Sequence, residues 1–274
     1  GMFSASQTTV APECVWRALM APSLSVSNGA RARTAPLGLR RIEAALLSDG
    51  FSPDDVAVVP PELLSSAVGN RTKIIGASAG DPLGIGMNSG TMAALMGGSN
   101  ICGVQFKKLA SLISNARASG AAKQTTFVVG GPGAWQLANQ PDEAAKLGVD
   151  VVVSGYAETS VGGIFRRIIA GEPTERVYDC SSAPVNDPPA VRGATSMGVV
   201  EISRGCGLGC AFCSLRSIPM RHLPVDLVIR DIETHQSAGV KNISLISEDF
   251  FRYGASGRSE ERRGGKECRL RWQA

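Results

Sequence analysis

Short apolar runs alternating with stretches of helical period constrain most strongly what this chain can fold into. KIIGAS (73–78), TTFVV (125–129) and VDVVV (149–153) are strand-length and rich in β-branched residues. Such runs are too short for buried helices and have the composition of strands covered on both faces. Between them lie segments of 3.6-residue period. Residues 39–47 carry Leu39, Ile42, Ala45 and Leu46 on one side, with Gly50 as a stop. Residues 106–118 carry Phe106, Leu109, Leu112 and Ile113. Further helices are expected at 142–147 and 160–170, and further strands at 17–21 and 55–59. Strands alternating with helices predict an α/β fold, here a Rossmann-like parallel sheet over residues 10–171.

Residues 172–194 contain Pro184, Pro188 and Pro189 and read as a linker. A second unit over 195–256 begins with a strand at 197–202. A helix at 224–238 follows, with Val225 and Val228 toward a core, and then a strand at 242–246. One strand–helix–strand cannot close a barrel, so the second unit reads as truncated.

Composition narrows the class. Apolar residues make up 43% and charged residues 19%, enough to bury a core. No apolar run reaches the length of a spanning helix, so no membrane association is expected. The opening GMFSASQTTV lacks a basic segment leading into an apolar core, so no secretory signal is expected; with Gly1 before Met2, a start upstream is one expectation. Net charge is +4, and residues 258–274 supply +3 of it. That balance makes nucleic acid an unlikely partner. The end of the chain, RSEERRGGKECRLRW, has no apolar period and resembles the conceptual translation of a sequencing adapter. Residues 257–274 are therefore expected to be a non-native tail, in which Cys268 and Trp272 carry no function. The alternative is a basic surface tail.

Seven cysteines occur, and three of them are Cys206, Cys210 and Cys213. An odd count with one tight cluster argues against a disulfide framework and for a metal centre in a reducing, cytoplasmic compartment. The spacing C-x3-C-x2-C supplies three thiolates on one loop, enough for three irons of a cubane, with the fourth iron left open. Gly205, Gly207 and Gly209 let the backbone wrap closely. His222 leaves a Cys3His zinc site as the alternative.

This loop at the end of a strand, within EISRGCGLGCAFC, resembles the radical S-adenosylmethionine (SAM) superfamily. The resemblance implies a (β/α) barrel, a [4Fe-4S] cluster on Cys206, Cys210 and Cys213, and SAM bound at the open iron. It implies Phe212 beside the cluster and Ser247, Glu248 and Asp249 near the SAM amino group; turn capping is the other reading of Glu248 and Asp249. An electron donor such as flavodoxin or ferredoxin is implied as partner. Three N-terminal stretches, APLGLRRIEAALLSDGF (35–51), FVVGGPGAWQL (127–137) and VDVVVSGYAETSVGGIFRRI (149–168), resemble cobalamin (B12)-binding domains attached to such barrels. That resemblance implies cobalamin contacts at Ser78, Asp81, Gly130, Gly131, Gly155 and Tyr156. The cobalt-ligating Asp-x-His-x-x-Gly is missing, since both histidines, His222 and His235, lie beyond residue 194. Asp81 to Gly86 fits that spacing with Leu83 where the histidine would stand.

The leading expectation is therefore a cobalamin-dependent radical SAM methyltransferase acting on a small-molecule or unknown substrate. The first alternative is a methylthiotransferase, whose barrels carry a stretch like SEDFFRYG and whose second cluster would need Cys14, Cys102 and Cys180. The other is a non-catalytic corrinoid-binding fragment.

Overall fold

The computed structural model describes residues 7–9, 14–15, 25–26, 30–182, 188–211 and 218–254. The strand expected at 17–21 and the tail at 257–274 lie outside them. The chain divides into two units, Gly1–Pro184 and Val185–Ala274.

The first unit runs α1 (Leu37–Ser48), α2 (Leu64–Ala67), β1 (Ile74–Ser78), α3 (Met87–Met96), α4 (Ile101–Ala118) and β2 (Thr126–Gly130). It continues α5 (Ala134–Asn139), α6 (Pro141–Lys146), β3 (Val151–Gly155), α7 (Val161–Ala170) and β4 (Val177–Cys180). The four strands form one parallel sheet in the order β1-β2-β3-β4. The expected α/β class with a parallel sheet is what forms.

The pleat sorts each apolar run onto two faces. Phe127, Val129 and Val152 meet Phe106, Ala110 and Ile113 of α4, Leu137 of α5 and Ala144 of α6. Val128, Val151 and Val153 meet Ala45 and Leu46 of α1 and Val161 and Ile164 of α7. Each such side chain buried contributes about 1.5–3 kcal/mol, which is why the central strands are apolar throughout. At the other end of the strands Arg117 donates to the carbonyls of Gly148 (3.0 Å) and Thr125 (2.7 Å). It also pairs with Asp150, which accepts from the Phe127 N–H at 2.7 Å.

Four expectations need correction. Residues 55–59 form no strand: Ala32 N–H bonds the Val58 carbonyl at 2.8 Å and Arg31 takes those of Val56 and Pro53, both at 2.7 Å. Pro53, Pro60 and Pro61 flank this run, and proline cannot donate to a ladder. Helix α4 starts at Ile101 rather than 106, because the Asn100 side chain caps it by accepting from Gly103 N–H at 3.1 Å. On that helix Ile113 is 1% exposed and Leu112 38%. Finally, part of the stretch read as linker is β4, which pairs with β3 over Val152↔Val177 to Gly155↔Cys180.

The second unit contains β5 (Val199–Glu201), β6 (Ser203–Arg204), β7 (Arg221–His222), α8 (Val225–Ser237) and β8 (Ser244–Ile246). β5 and β8 are parallel neighbours, and β6 and β7 an antiparallel pair. Helix α8 turns Leu227, Asp231 and His235 inward, all three fully buried, while Val225 is 59% exposed. The spacing of four residues, not Val225 with Val228, defines the inner face. His235 Nε2 accepts from Thr195 N–H at 3.1 Å, so its Nδ1–H donates to the Asp231 carbonyl. Asp231 Oδ1 accepts from Val191 N–H at 2.9 Å. No helix among the described residues is long and apolar enough to cross a membrane.

Candidate metal centre

The cysteine loop leaves β6 and returns in β7. Its neck is stapled by the pairs Ser203↔His222 and Arg204↔Arg221 and by Cys206 N–H to the Ile218 carbonyl at 3.2 Å. Beneath the neck Arg204, 4% exposed, grips Glu201 with Nε and Nη2, both at 2.9 Å. Gly205, Gly207 and Gly209 take φ of +70°, +68° and +74°. A Cβ on Gly205 would stand 2.5 Å from the Pro219 carbonyl oxygen. The backbone thus approaches itself too closely at Gly205 for a side chain to fit.

Within this cradle Cys206 and Cys210 are half-buried free thiols. Cys213 and Phe212 lie outside the described residues. Soft sulfur donors on a glycine-wrapped loop fit an iron–sulfur cluster. His222 is occupied elsewhere: its ring meets Tyr253 edge-on at 5.2 Å and its Nδ1 accepts a long bond, 3.5 Å, from Gly254 N–H.

The second strand delivers Ser247, Glu248 and Asp249 to the same end. β5 and β8 run in parallel with Glu201 opposite Ile246, so the chains leaving both strands emerge side by side. Ser247 Oγ lies 2.5 Å from Ser203 Oγ and accepts from Asp249 N–H at 3.1 Å. The turn is therefore capped by Ser247, and Glu248 is exposed. Two residues that the sequence reading did not single out hold this region. Arg252 Nη1 donates to the Cys206 carbonyl at 2.6 Å, and Tyr253 Oη to the Leu223 carbonyl at 3.1 Å. Burial raises the Tyr253 pKa. The SEDFFRYG stretch was a signal for them without indicating their partners.

In the first unit Ser78, Gly130 and Gly131 do meet at adjacent strand ends, with Ser78 opposite Gly130. Protein fills the space that their glycines open. A Cβ on Gly131 would stand 2.5 Å from Ser78 Oγ, and one on Gly155 2.5 Å from Ser181 N. Tyr156 is half-buried. Asp81, 6% exposed, is the centre of a polar knot. Its Oδ1 accepts from Gly86 N–H (3.1 Å) and Gln136 Nε2 (2.7 Å), and its Oδ2 from Ser89 Oγ. Asn100 Nδ2 donates to Ser89 Oγ at 2.9 Å, and Gln7 Nε2 to the Ser89 carbonyl at 3.3 Å. The strand order has no reversal among the described strands, the place where such sheets usually bind ligands.

The three N-terminal cysteines are not gathered. Cys14 is exposed, Cys102 intermediate and Cys180 buried in β4. Among the described residues no group of three metal-binding side chains forms. Burial and then the charge of Asp81 push the Cys102 thiol up, and burial pushes Cys180 up. Both shifts disfavour the thiolate that a metal needs.

No family model matches the chain. Part of it is similar to the ribosomal protein uS12 methylthiotransferase RimO of Sorangium cellulosum, 33% identical over 104 residues, or 36% of this chain and 20% of that protein. Another part-length similarity is to a tRNA-2-methylthio-N(6)-dimethylallyladenosine synthase of Thermus thermophilus, 32% identical over 125 residues, 43% of this chain and 25% of that one. A uS12 methylthiotransferase of Dictyoglomus thermophilum is 39% identical over 57 residues, 20% of this chain and 13% of that protein. The chain thus spans a quarter or less of the length of these relatives, and all three carry methylthio chemistry in their names.

Proposed function

We propose that the second unit is the cluster- and SAM-binding start of a radical SAM enzyme of the methylthiotransferase kind. The observation that carries this is the glycine-wrapped loop presenting Cys206 and Cys210 at the end of a parallel strand pair. Cys206, Cys210 and Cys213 would hold a [4Fe-4S] cluster, with Phe212 beside it. Bound there, the cluster supplies an open iron for SAM and the electron for its reductive cleavage. Ser247, Glu248 and Asp249 would receive the SAM amino group, with Ser247 fixed by Ser203. An electron donor of the flavodoxin or ferredoxin class would deliver to the cluster.

The similar proteins favour methylthio transfer over cobalamin-dependent methyl transfer, for which they give no support. They also favour a macromolecular substrate, since their names give a ribosomal protein and a tRNA nucleoside. A sulfur-supplying second cluster on Cys14, Cys102 and Cys180 is not part of this proposal, and neither are cobalamin contacts at Ser78, Asp81, Gly130, Gly131, Gly155 and Tyr156.

Anaerobic reconstitution of the chain with iron and sulfide tests the reading. The expected result is a [4Fe-4S] stoichiometry per chain, abolished by Cys206→Ser, and an electron paramagnetic resonance signal of the reduced cluster that changes when SAM is added. Stoichiometric zinc with no sulfide uptake would overturn it.

A further inference from the structure

The peptide of Cys206 is held at both ends. Its N–H bonds the Ile218 carbonyl across the neck of the loop at 3.2 Å. Its C=O accepts from Arg252 Nη1 at 2.6 Å, across 46 residues of sequence. Glycines of φ +70° and +68° stand on either side. With both polar groups of one residue pinned, the direction of its Cα–Cβ bond follows from backbone alone, and only the χ1 rotation is left to place its thiol. The turn that supplies Arg252, a short helical piece at Phe250–Arg252, begins just after β8. Its next residue reaches the other strand of the neck: Tyr253 bonds the Leu223 carbonyl, one residue past β7, and packs on His222 of β7. One five-residue turn therefore grips the outgoing and the returning limb of the cysteine loop.

We propose that Arg252 is a positioning residue for Cys206, and that the 250–254 turn is a clamp coupling the end of β8 to the geometry of the metal loop. The clamp rests on the reading of Cys206 as a cluster ligand. Arg252 touches the ligand's carbonyl, so it acts through Cys206 and not on the reacting atoms. A guanidinium is suited to this role. It offers a rigid planar fork of donors, and a charge-assisted bond to a carbonyl is stronger than a neutral one. Ser247 sits on the same segment, two residues before the capped Asp249. A shift of the clamp would therefore move the SAM-side turn and the cysteine loop together.

Two measurements on the full chain test this. The first is the rate of iron release to a chelator after anaerobic reconstitution, for wild type, Arg252→Ala and Arg252→Lys. Loss of one charge-assisted bond predicts release about tenfold faster in Arg252→Ala. Arg252→Lys, which keeps a cationic donor, should stay close to wild type at unchanged iron and sulfide content. The second is alkylation of Cys206 in the metal-free protein, followed at the peptide level. It should accelerate in Arg252→Ala while the exposed Cys14 reacts as before, which separates a loosened loop from a misfolded chain. Equal release and equal alkylation rates in wild type and Arg252→Ala would overturn the clamp. A wild-type chain that takes up no cluster would end the reading of the loop as a cluster site, and the alkylation rates would still decide the clamp.

Discussion

β3 and β8 are both short apolar strands in parallel pairing, yet their surroundings differ completely. Val151, Val152 and Val153 of β3 are 1–5% exposed, between helices on two faces. Leu245 and Ile246 of β8 are 44% and 41% exposed, and Phe251 beyond them 89%. A strand's composition states what it can bury, and its neighbours decide whether it does. In the first unit the described residues include the covering layers. In the second the buried apolar side chains are fewer, Val191, Val200, Ile202, Leu223 and Leu227 among them, and hydrogen bonds at the neck of the cysteine loop add to that packing.

The largest test of this contrast is truncation in the two sheets. Phe127, fully buried and stacked 6.3 Å from Phe106, should cost about 3–5 kcal/mol as Phe127→Ala. Leu245→Ala should cost under about 0.5 kcal/mol. Urea midpoints, read separately for each transition, check both; a comparable loss at Leu245 would mean that β8 is covered after all.

A smaller effect separates two left-handed glycines. Gly50 has φ +94° with open space where a Cβ would go, whereas Gly205 has φ +70° and a backbone oxygen 2.5 Å away. Gly50→Ala should lose about 1 kcal/mol, the cost of a left-handed conformation. Gly205→Ala must displace the returning limb as well, so its loss should be larger and should come with faster alkylation of Cys206. Equal losses at the two sites would show that the loop yields without strain.

The smallest effect is a pH dependence confined to the first unit. Cys102 has its pKa raised by burial and by Asp81. A raised pKa means that the fold holds the thiol proton more tightly than the unfolded chain does. The resulting stability is complete below the unfolded thiol pKa and is lost as pH rises through the folded one. The alkylation midpoint of Cys102 should therefore lie above that of a free thiol peptide. A midpoint at or below the peptide's would show that the Asp81 surroundings are open to solvent.

How much of this was legible follows the same physics. β1, β2 and β3 were readable to within two residues, because strands covered on both faces must be apolar throughout. β4 was not: VYDC lies among proline, serine and aspartate and joins the sheet only at its edge. The cysteine loop was readable from its spacing and glycines, since local dihedrals leave a local signature. Arg252 and Tyr253 were not, because bonds spanning 46 and 30 residues leave none. The inward face of α8 was misread for a related reason. Asp231 and His235 look like solvent-facing residues until Val191 and Thr195 supply their partners.

The knot around Asp81 joins residues that are made at different times during synthesis. Gln136 leaves the ribosome 55 residues after the carboxylate it will bond, several seconds later at ordinary elongation rates of roughly 5–20 residues per second. Until then Asp81 has only its local donors, Gly86 N–H and Ser89 Oγ, and Oδ1 lacks its second one. The knot is complete only once β2 and α5 have emerged, so the sheet and the loop after β1 are tied together by a bond that the loop cannot make on its own.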